Sequence, residues 1–385
     1  MKILTTITYY EPHISGLTIY AARLAKTLVS MGHEVAMLTS QFNKQLPLEE
    51  IREGVNVVRV PVTLRVSKGV IMAQWASYVN RLVAEADVVQ MHLPQFEGSI
   101  VARAAAARKK PLVATYHCDL DMPRGLVSRL ANLGMDWMTR YSLQRADVIV
   151  TNTQDYADHS KMLAPYLTKV KVIPPPIELA QNDPFVEKIL IERVNPSQRF
   201  PVIGIAGRFT TEKGVEVLLD ALPEIMDVFP DTLVLFAGPY QKIKGEEAYY
   251  DRLSPRIRDL EEQGRWKFLG ILPDEEMPAF FKSLDLLATP SLNSTESFGI
   301  VQIEAMQNGT PVVASDLPGV RVPAQRHKMG LNFPAGDSKR MAEAVIEVLR
   351  NYDSFSLRDE KVVTNYTKSN IANQYLDIFK SILRD

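Results

Sequence analysis

Cysteine is almost absent from the sequence, because Cys118 is the single one among 385 residues. A lone cysteine cannot form an internal disulfide bond, and it cannot supply the cysteine cluster of a structural zinc site. The sequence therefore gives no sign of an oxidising compartment, and a reducing cytoplasm is expected.

Long hydrophobic runs are absent as well. No stretch of about 18 apolar residues runs uninterrupted, so no membrane-spanning helix is predicted. The first residues, MKILTTITYYEPH, hold one lysine and only a short apolar stretch, which falls short of the apolar core of an export signal. The expected location is cytoplasmic, with peripheral contact to the inner face of the cell membrane left open.

Charge of one sign does not dominate, since 44 Lys and Arg residues nearly balance 45 Asp and Glu residues. A nucleic-acid partner is therefore not expected. The two halves differ, because residues 1–180 hold 20 basic and 15 acidic side chains, and residues 181–385 hold 24 and 30. This asymmetry fits an anionic partner for the first half, and it fits ordinary variation in surface charge equally well.

What is present is the composition of a globular protein, with 46% hydrophobic and 23% charged residues. At about 100 to 200 residues per domain, the length predicts two domains. Short apolar runs alternate with segments of helical period along most of the chain, which predicts βαβ units with buried parallel strands. The fold class is therefore α/β.

A proline-rich stretch divides two such series, beginning with Pro174, Pro175 and Pro176. The predicted boundaries are a first domain at 1–178, a linker at 179–198 and a second domain at 199–368, with a C-terminal helix at 369–385 that joins the first domain. Both domains are predicted to be doubly wound and Rossmann-like, facing each other across a cleft at the carboxyl ends of their strands.

The segment from Gly204 to Gly214 leaves a predicted strand and enters a predicted helix. It brings Arg208 and Lys213, with Gly207, to the carboxyl edge of the second sheet. A guanidinium and an ammonium group together suit a diphosphate whose negative charge grows as it departs. A solvated pair of surface cations is the alternative that these residues leave open.

A second segment carries two carboxylates eight residues apart, Glu296 on a loop and Glu304 on the helix that follows. Gly299 opens that helix, whose first turn offers unpaired N–H groups to phosphate oxygens. Glu304 is placed to accept hydrogen bonds from a ribose diol, and Glu296 to reach a sugar. By themselves, the two residues fit equally an exposed helix carboxylate and a favourable charge near a helix start.

Arg208, Lys213, Glu296 and Glu304, taken in order, resemble the motifs of glycosyltransferase family 4, a retaining family with the GT-B fold. The resemblance extends over nearly the whole chain, through EPHISG at 11–16, GHEV at 32–35, TYH at 115–117, ADVIV at 146–150 and SDLPGVR at 315–321. It implies transfer of a hexosyl unit from a UDP- or GDP-linked sugar to an acceptor hydroxyl with retained anomeric configuration. A glycolipid or polysaccharide precursor is the kind of acceptor expected.

The resemblance implies that residues 1–178 form the acceptor-binding domain and residues 199–368 the nucleotide-sugar-binding domain. It also implies roles for single residues in the second domain. Arg208 and Lys213 would hold the diphosphate, Glu304 the ribose, and Glu296 the hydroxyls of the transferred sugar. The backbone amides of Gly299 and Ile300, at the helix start, would add to the donor site. Phe298 is also placed in the donor site.

In the first domain, Gly16 matches the second glycine of a Gly-Gly loop that closes under the donor phosphate in relatives. Ser15 departs from that pattern, which puts the acceptor-side geometry in doubt. His117 corresponds to a histidine beside the donor sugar, and a satisfied loop histidine is the alternative. The catalytic set implied by the resemblance is Glu296, Arg208, Lys213 and His117.

No metal and no cofactor are expected, since the nucleotide-sugar is a substrate. Asp119 and Asp121 lie near His117, but no third ligand accompanies them, and fold relatives typically hold the diphosphate without metal. Residues 124–145 mix apolar and arginine side chains as a membrane-docking helix does, and some relatives dock through this region. A charged helix that covers its own domain core is the alternative.

Other functions on the same fold stay open at this point. A GT-B sugar phosphorylase, a nucleotide-sugar epimerase or a catalytically silent sugar-nucleotide-binding subunit would each use a similar scaffold, because fold alone does not determine the reaction. Turnover by the isolated chain separates these alternatives from a glycosyltransferase.

Overall fold

The computed structural model describes residues 1–66, 69–119, 126–178, 183–357 and 359–384, except for the side chains of residues 66, 126–132 and 384. The chain divides into two compact units. The first holds residues 1–177 together with the chain from Tyr366 onward, and the second holds residues 178–365.

The first unit contains an eight-stranded sheet and a short hairpin. Its strands are β1 Lys2–Thr6, β2 Glu34–Gln41, β3 Glu49–Arg52, β4 Val55–Pro61, β5 Leu64–Val66, β6 Gly69–Ile71, β7 Val88–Leu93, β8 Leu112–Tyr116, β9 Val148–Thr151 and β10 Val170–Val172. The order across the sheet is β10-β9-β8-β7-β1-β2-β4-β3. Only β3 is antiparallel within it, and β5 and β6 form the separate antiparallel hairpin.

Strand order in the first unit reverses beside β1. From β1 the chain continues outward through β2 and β4, whereas β7 pairs with the other edge of β1 and the chain then continues through β8 to β10. Ligands of doubly wound folds bind at such a reversal, outside the carboxyl ends of the strands. The loops after β1 and β7 therefore flank the natural ligand position of this unit.

Helices cover both faces of the first sheet. They are α1 Gly16–Ser30, α2 Trp75–Glu85, α3 Gly98–Ala107, α4 Leu126–Arg145 and α5 Gln154–His159, followed by a 3-10 helix at Ala164–Lys169. Neighbouring residues of β1 point to opposite faces, so that Leu4 packs into one core and Ile3 into the other. This double burial explains why the strands are near-continuous apolar runs.

The second unit has a six-stranded sheet that is parallel throughout. Its strands are β11 Val202–Ala206, β12 Leu233–Ala237, β13 Trp266–Gly270, β14 Leu286–Thr289, β15 Val312–Ser315 and β16 Gly330–Phe333. The order is β13-β12-β11-β14-β15-β16, which reverses between β11 and β14. The carboxyl ends of these two strands are therefore the expected ligand position.

In the second unit one apolar core is formed chiefly by the helices Val215–Val228, Glu247–Glu262 and Ser338–Arg350 together with the sheet, and further helices belong to the same unit. The helices of this unit are α6 Pro184–Val194, α7 Val215–Val228, α8 Glu247–Glu262, α9 Met277–Lys282, α10 Ile300–Gln307, α11 Val322–His327, α12 Ser338–Arg350, α13 Tyr352–Phe355 and α14 Glu360–Thr364, with a 3-10 helix at Thr211–Lys213. The chain then returns to the first unit through α15 Lys368–Arg384.

Helix α6 lies within the stretch for which a linker is predicted, and this is where the structure differs from the expectation. Asp183 caps the helix by accepting a hydrogen bond from the Phe185 N–H at 2.8 Å, and Pro184 occupies the first helical position. Proline suits that position because its missing N–H would have no helical partner there. The same proline that indicated irregular structure in the sequence thus starts a helix of the second unit.

Helix α15 packs beside α1 on one face of the first sheet. Ile371, Tyr375 and Phe379 are fully buried in that core, at the spacing of one helix face. The Tyr375 hydroxyl lies 2.7 Å from that of Tyr20 on α1 and 3.0 Å from Thr115 Oγ1 on β8. The C-terminal helix therefore completes the core of the unit in which the chain begins.

Within the described parts of the chain, no helix combines the length and the apolar character needed to cross a membrane.

Candidate active site

A small pocket lies in the second unit, where the strand order reverses. Strands β11 and β14 end there, and the loops that follow them supply most of its wall. The lining residues are Ile205, Ala206, Lys213, Ala288, Thr289, Pro290, Ser291, Glu296, Gly299, Val301 and Val320. The pocket thus gathers three of the predicted site residues from segments far apart in sequence, namely Lys213, Glu296 and Gly299.

The backbone around Lys213 is held close to the loop after β14. Lys213 ends a 3-10 turn, and Gly214 follows it in the left-handed region at φ 63°. A Cβ atom on Gly214 would lie 2.1 Å from the Pro290 carbonyl oxygen, so only glycine allows this approach. The Lys213 side chain extends past Gly207, where an added methyl group would lie 3.5 Å from its Cε.

Lys213 and Glu296 form an ion pair in this pocket, between Nζ and Oε2, although 83 residues separate them in sequence. The other carboxylate oxygen of Glu296 accepts a hydrogen bond from the Gly299 N–H at 3.0 Å. Burial raises the pKa of Glu296, but the Lys213 charge and the N–H groups of Gly299 and Phe298 outweigh burial and leave the pKa below its usual value. Glu296 is therefore ionised at neutral pH.

Helix α10 begins at this ion pair. Gly299 is its N-cap residue at φ 79° and ψ 70°, a conformation that a side chain would strain. A Cβ atom there would also lie 2.4 Å from the Nε2 atom of Gln302, which donates to the backbone carbonyls of Phe298 and Val320. Gly299 and Val301 line the pocket, so the helix start, with the positive end of its dipole, lies at the pocket wall.

Arg208 and Glu304 lie outside the lining of this pocket. The Arg208 guanidinium pairs with Glu212 at 3.3 Å and is 38% exposed. Glu304 is half-buried on α10, and Phe298 is buried beside the helix start, next to the half-buried Ile300. Among the predicted site residues, the structure brings Lys213 and Glu296 into direct contact, whereas Arg208 pairs with Glu212 instead.

Two hydroxyl side chains of the lining, Thr289 and Ser291, were not predicted from the sequence. Both are buried, and Thr289 Oγ1 has no hydrogen-bond partner among the residues that the structure describes. The available signal was the end of the predicted strand Asp285 to Thr289, since strand ends at a sheet reversal line ligand sites. A buried hydroxyl without a partner is a group that a ligand can satisfy.

His117 follows β8 in the first unit and forms a pair with His92 of β7. His92 Nδ1 and His117 Nε2 are 2.8 Å apart, and the two rings stack at 5.1 Å with Tyr20 set edge-on against both. Burial lowers the pKa of His117 to about 3. Burial also lowers the pKa of His92 well below its usual value, and the neighbouring His117 ring lowers it further. Both rings are therefore neutral at physiological pH. His92 was not singled out in the sequence.

Gly16 begins α1, and Ser15 is the N-cap residue of that helix. The Ser15 Oγ atom accepts a hydrogen bond from the Thr18 N–H at 3.2 Å. This gives a physical reason for serine at the position where the family pattern has glycine, because a hydroxyl caps a helix better than hydrogen does. No atom lies within 4 Å of a Cβ added to Gly16, so the chain itself does not require glycine there.

Among the described residues, no group of three or more His, Cys, Asp and Glu side chains is placed to hold a metal ion. Asp119 accepts hydrogen bonds at Oδ1 from the hydroxyls of Tyr116 at 2.6 Å and Ser160 at 2.7 Å. Asp121 lies outside the described residues. The predicted independence from metal stays a prediction.

Helix α4 presents two large apolar side chains to solvent, one helical turn apart. Leu133 is 62% exposed and Trp137 is 63% exposed, and Arg140 on the following turn is exposed as well. The buried side chains of the same helix, Ser142 and Leu143 among them, face the first unit. Residue 124 and the side chains of residues 126–132, part of the predicted docking segment, lie outside the described residues.

Comparison with known protein families matches both units. The family model described as Glycosyltransferase Family 4 matches residues 14–181, and the model described as Glycosyl transferases group 1 matches residues 187–368. Nearly the whole chain is therefore matched.

Individual proteins are similar to the chain over different lengths. The phosphatidyl-myo-inositol mannosyltransferase of Mycolicibacterium smegmatis is 28% identical over 373 residues, which is 95% of this chain and 90% of that protein. The protein of the same name from Mycobacterium leprae is 36% identical over 173 residues, 44% of this chain and 43% of that protein. The crystal structure of Anabaena Alr3699/HepE with UDP-glucose superposes with a TM-score of 0.77, at 20% identity and 99% coverage of this chain and 100% of that one.

Proposed function

Because the chain belongs to glycosyltransferase family 4 and has the GT-B fold, it is a nucleotide-sugar-dependent glycosyltransferase, and we propose that it moves a hexosyl unit to a polyol hydroxyl with retained anomeric configuration. The observation that carries this proposal is the ion pair of Lys213 and Glu296 at the start of α10. It places one cation, one ionised carboxylate and a helix N-terminus around a single pocket.

Each of these groups suits one part of a nucleotide diphosphate sugar. The Lys213 ammonium and the first turn of α10 attract phosphate oxygens, which leave with added negative charge as the glycosidic bond breaks. The Glu296 carboxylate accepts hydrogen bonds and cannot donate them, so it suits the hydroxyls of the transferred sugar. In this proposal Arg208 turns from Glu212 to the diphosphate, and Glu304 binds the ribose.

The reaction itself needs no protein nucleophile. The acceptor hydroxyl attacks the anomeric carbon on the face that the diphosphate leaves, and the departing phosphate oxygen takes the hydroxyl proton. Charge stabilisation by Lys213 and the helix start then supplies most of the catalysis. His117 in the first unit is neutral and therefore supplies no charge to the reaction.

The donor is tested by thermal stabilisation and slow hydrolysis with UDP- and GDP-linked hexoses. We expect one nucleotide class to raise the melting temperature, and we expect Lys213→Ala to lower kcat/KM by about 10²- to 10³-fold, as loss of one such contact does. Lys339→Ala removes an exposed lysine of α12 in the same unit and should change neither value.

Glu304→Ala should weaken donor stabilisation, whereas Glu275→Ala, at an exposed position, should not. Stabilisation by a nucleotide-sugar without any turnover would point to a silent binding subunit, and release of a free sugar phosphate on adding inorganic phosphate would point to a phosphorylase. No response to any nucleotide-sugar would contradict the proposal.

We further propose that the acceptor is an amphiphilic polyol met at a membrane surface. The name of the mycobacterial relative, a phosphatidyl-myo-inositol mannosyltransferase, supports a glycolipid acceptor. The exposed pair Leu133 and Trp137, with Arg140 beside it, supports contact with an anionic surface. Flotation with anionic vesicles should weaken on Trp137→Ala and stay unchanged on Phe185→Ala, which removes an exposed aromatic ring of the second unit. Equal flotation with neutral and anionic vesicles would contradict this contact.

A further inference from the structure

Two buried polar side chains lie unused at the ligand position of the first unit. Gln95 and Glu97 follow β7 in the loop that leads to α3, beside the end of β1 where the strand order reverses. Gln95 is 1% exposed and Glu97 is 5% exposed. Neither side chain belongs to the predicted donor site.

Both side chains keep hydrogen-bonding groups without partners. The Thr6 hydroxyl donates a hydrogen bond to Gln95 Oε1 at 3.0 Å. The Nε2 donor group of Gln95 is not used by this hydrogen bond. Within the described parts of the chain, neither Gln95 Nε2 nor either carboxylate oxygen of Glu97 has a hydrogen-bond partner. Glu97 stands at the N-cap position of α3 and still makes no side-chain hydrogen bond to that helix.

Such groups are costly to keep, because a buried donor or acceptor without a partner loses its water contacts and gains nothing in return. An orphaned donor two residues away from orphaned acceptors is the complement of a hydroxyl group, which both accepts and donates. Their position at the sheet reversal is the place where doubly wound folds bind ligands.

Aromatic residues lie in the loops that follow β1 and β2. Tyr9 stacks on His13 with ring centroids 4.9 Å apart, and Phe42 packs edge-on against Tyr9 at 5.9 Å. Burial raises the pKa of Tyr9, Arg65 opposes that rise, and the nearby Glu97 carboxylate adds to it. The unpartnered Glu97 carboxylate therefore lies near the half-buried ring of Tyr9.

We propose that Gln95 and Glu97 form a recognition site for adjacent hydroxyls of a neutral polyol, which is the acceptor of the transfer reaction. This inference rests on the proposed function and identifies the acceptor class. Gln95 Nε2 donates to one hydroxyl oxygen, and that hydroxyl or its neighbour donates to Glu97. Glu97 repels anions in its ionised form, so hydroxyl groups suit this position better than a phosphate carried by the acceptor.

Loss of the Glu97 acceptor group is the first test. The probes are myo-inositol, D-mannose and D-glucose, each added at millimolar concentration to the full chain. Their binding is followed by saturation-transfer NMR, and their effect on nucleotide release is followed by initial rates. We expect Glu97→Gln to raise the KM of the polyol by about 10-fold, because an amide group donates where the hydroxyl also donates.

Glu85→Gln is the matched control, since it removes the same charge from an exposed helical position of the same unit. If Glu97→Gln does not fold, Glu97→Asp replaces it in the test. This variant keeps the carboxylate but places it one methylene group closer to the backbone. Equal polyol binding by wild type and Glu97→Gln, or no binding of any probe to the wild type, would overturn the proposal. Failure of the nucleotide-sugar arm alone would instead contradict the proposed function, because the NMR arm needs no donor.

Discussion

Two carboxylates show how the same side chain is tuned in opposite directions by its neighbours. In the second unit, the Lys213 charge keeps the pKa of Glu296 below its usual value even though the side chain is largely buried. In the first unit, burial raises the pKa of Glu97 to about 7. Glu296 is thus a permanent anion at neutral pH, whereas Glu97 is close to half ionised.

Glu97 makes the first unit less stable as the pH rises. Its pKa is about 7 in the folded chain and 4.5 when unperturbed. The folded state therefore holds the proton longer, and stability falls between about pH 4.5 and pH 7 by about 3 kcal/mol in total. Glu97→Gln has no such proton, so its stability advantage over wild type should be larger at pH 8 than at pH 5. Urea unfolding at both pH values measures this, and an equal advantage at both would contradict it.

The His92 and His117 pair predicts a particular tautomer. His92 Nε2 is buried without a partner among the described residues, and a buried orphan acceptor is tolerated better than a buried orphan donor. His92 therefore carries its proton on Nδ1 and donates it to His117 Nε2, so His117 carries its own proton on Nδ1. ¹⁵N NMR of histidine side chains should show two neutral rings of this type from pH 5 to pH 8, with His92→Asn assigning the signals. A proton on His117 Nε2 would contradict the prediction.

At the scale of elements, α10 depends on one glycine at each end. Gly299 and Gly309 both have positive φ angles, 79° and 84°, but only a Cβ on Gly299 meets another group, the Gln302 side chain. Each change to alanine should cost about 1–2 kcal/mol for the left-handed conformation. Gly299→Ala should additionally weaken nucleotide-sugar binding, because Gln302 has to move and the helix start moves with it.

The matched pair separates strain from function. Chemical unfolding gives the stability of both variants, and thermal shift with the stabilising nucleotide-sugar gives donor affinity. If Gly309→Ala lowers the affinity for the donor as much as Gly299→Ala does, the start of α10 has no special role in donor binding.

At the scale of the whole molecule, the chain leaves its first unit and returns to it. The three fully buried side chains Ile371, Tyr375 and Phe379 of α15 each contribute about 2 kcal/mol of burial, which together approach the total stability of an ordinary domain. Deleting the chain from Tyr366 onward should therefore abolish the unfolding transition of the first unit and leave that of the second.

Calorimetry with and without the nucleotide-sugar identifies the two transitions, because the ligand should raise the one that belongs to the second unit. Tyr375→Phe is the milder comparison, since it keeps the packing and removes only the hydrogen bonds to Tyr20 and Thr115. Two intact transitions in the shortened chain would show that α15 is dispensable for the first unit.

Much of this architecture was predictable because it depends on local pattern. Apolar runs such as those of β1, β7, β11 and β14 are strands buried on both faces, and their order along the chain predicts a doubly wound fold. The antiparallel edge strand β3 and the hairpin of β5 and β6 were not predicted, since short partly exposed strands carry little apolar signal. Pro184 was ambiguous for a different reason, because proline both interrupts structure and begins helices.

The sequence by itself determined the α/β class, the positions of most strands and the motifs that assign the chain to its family. These follow from periodicity over a few residues and from residue types at short spacing. Tertiary structure alone decided that Lys213 neutralises Glu296 across 83 residues, that His92 joins His117, and that Glu97 is buried without a partner. Partners and burial are set by segments that meet only when the sheets form, and they decide the charge state of each side chain.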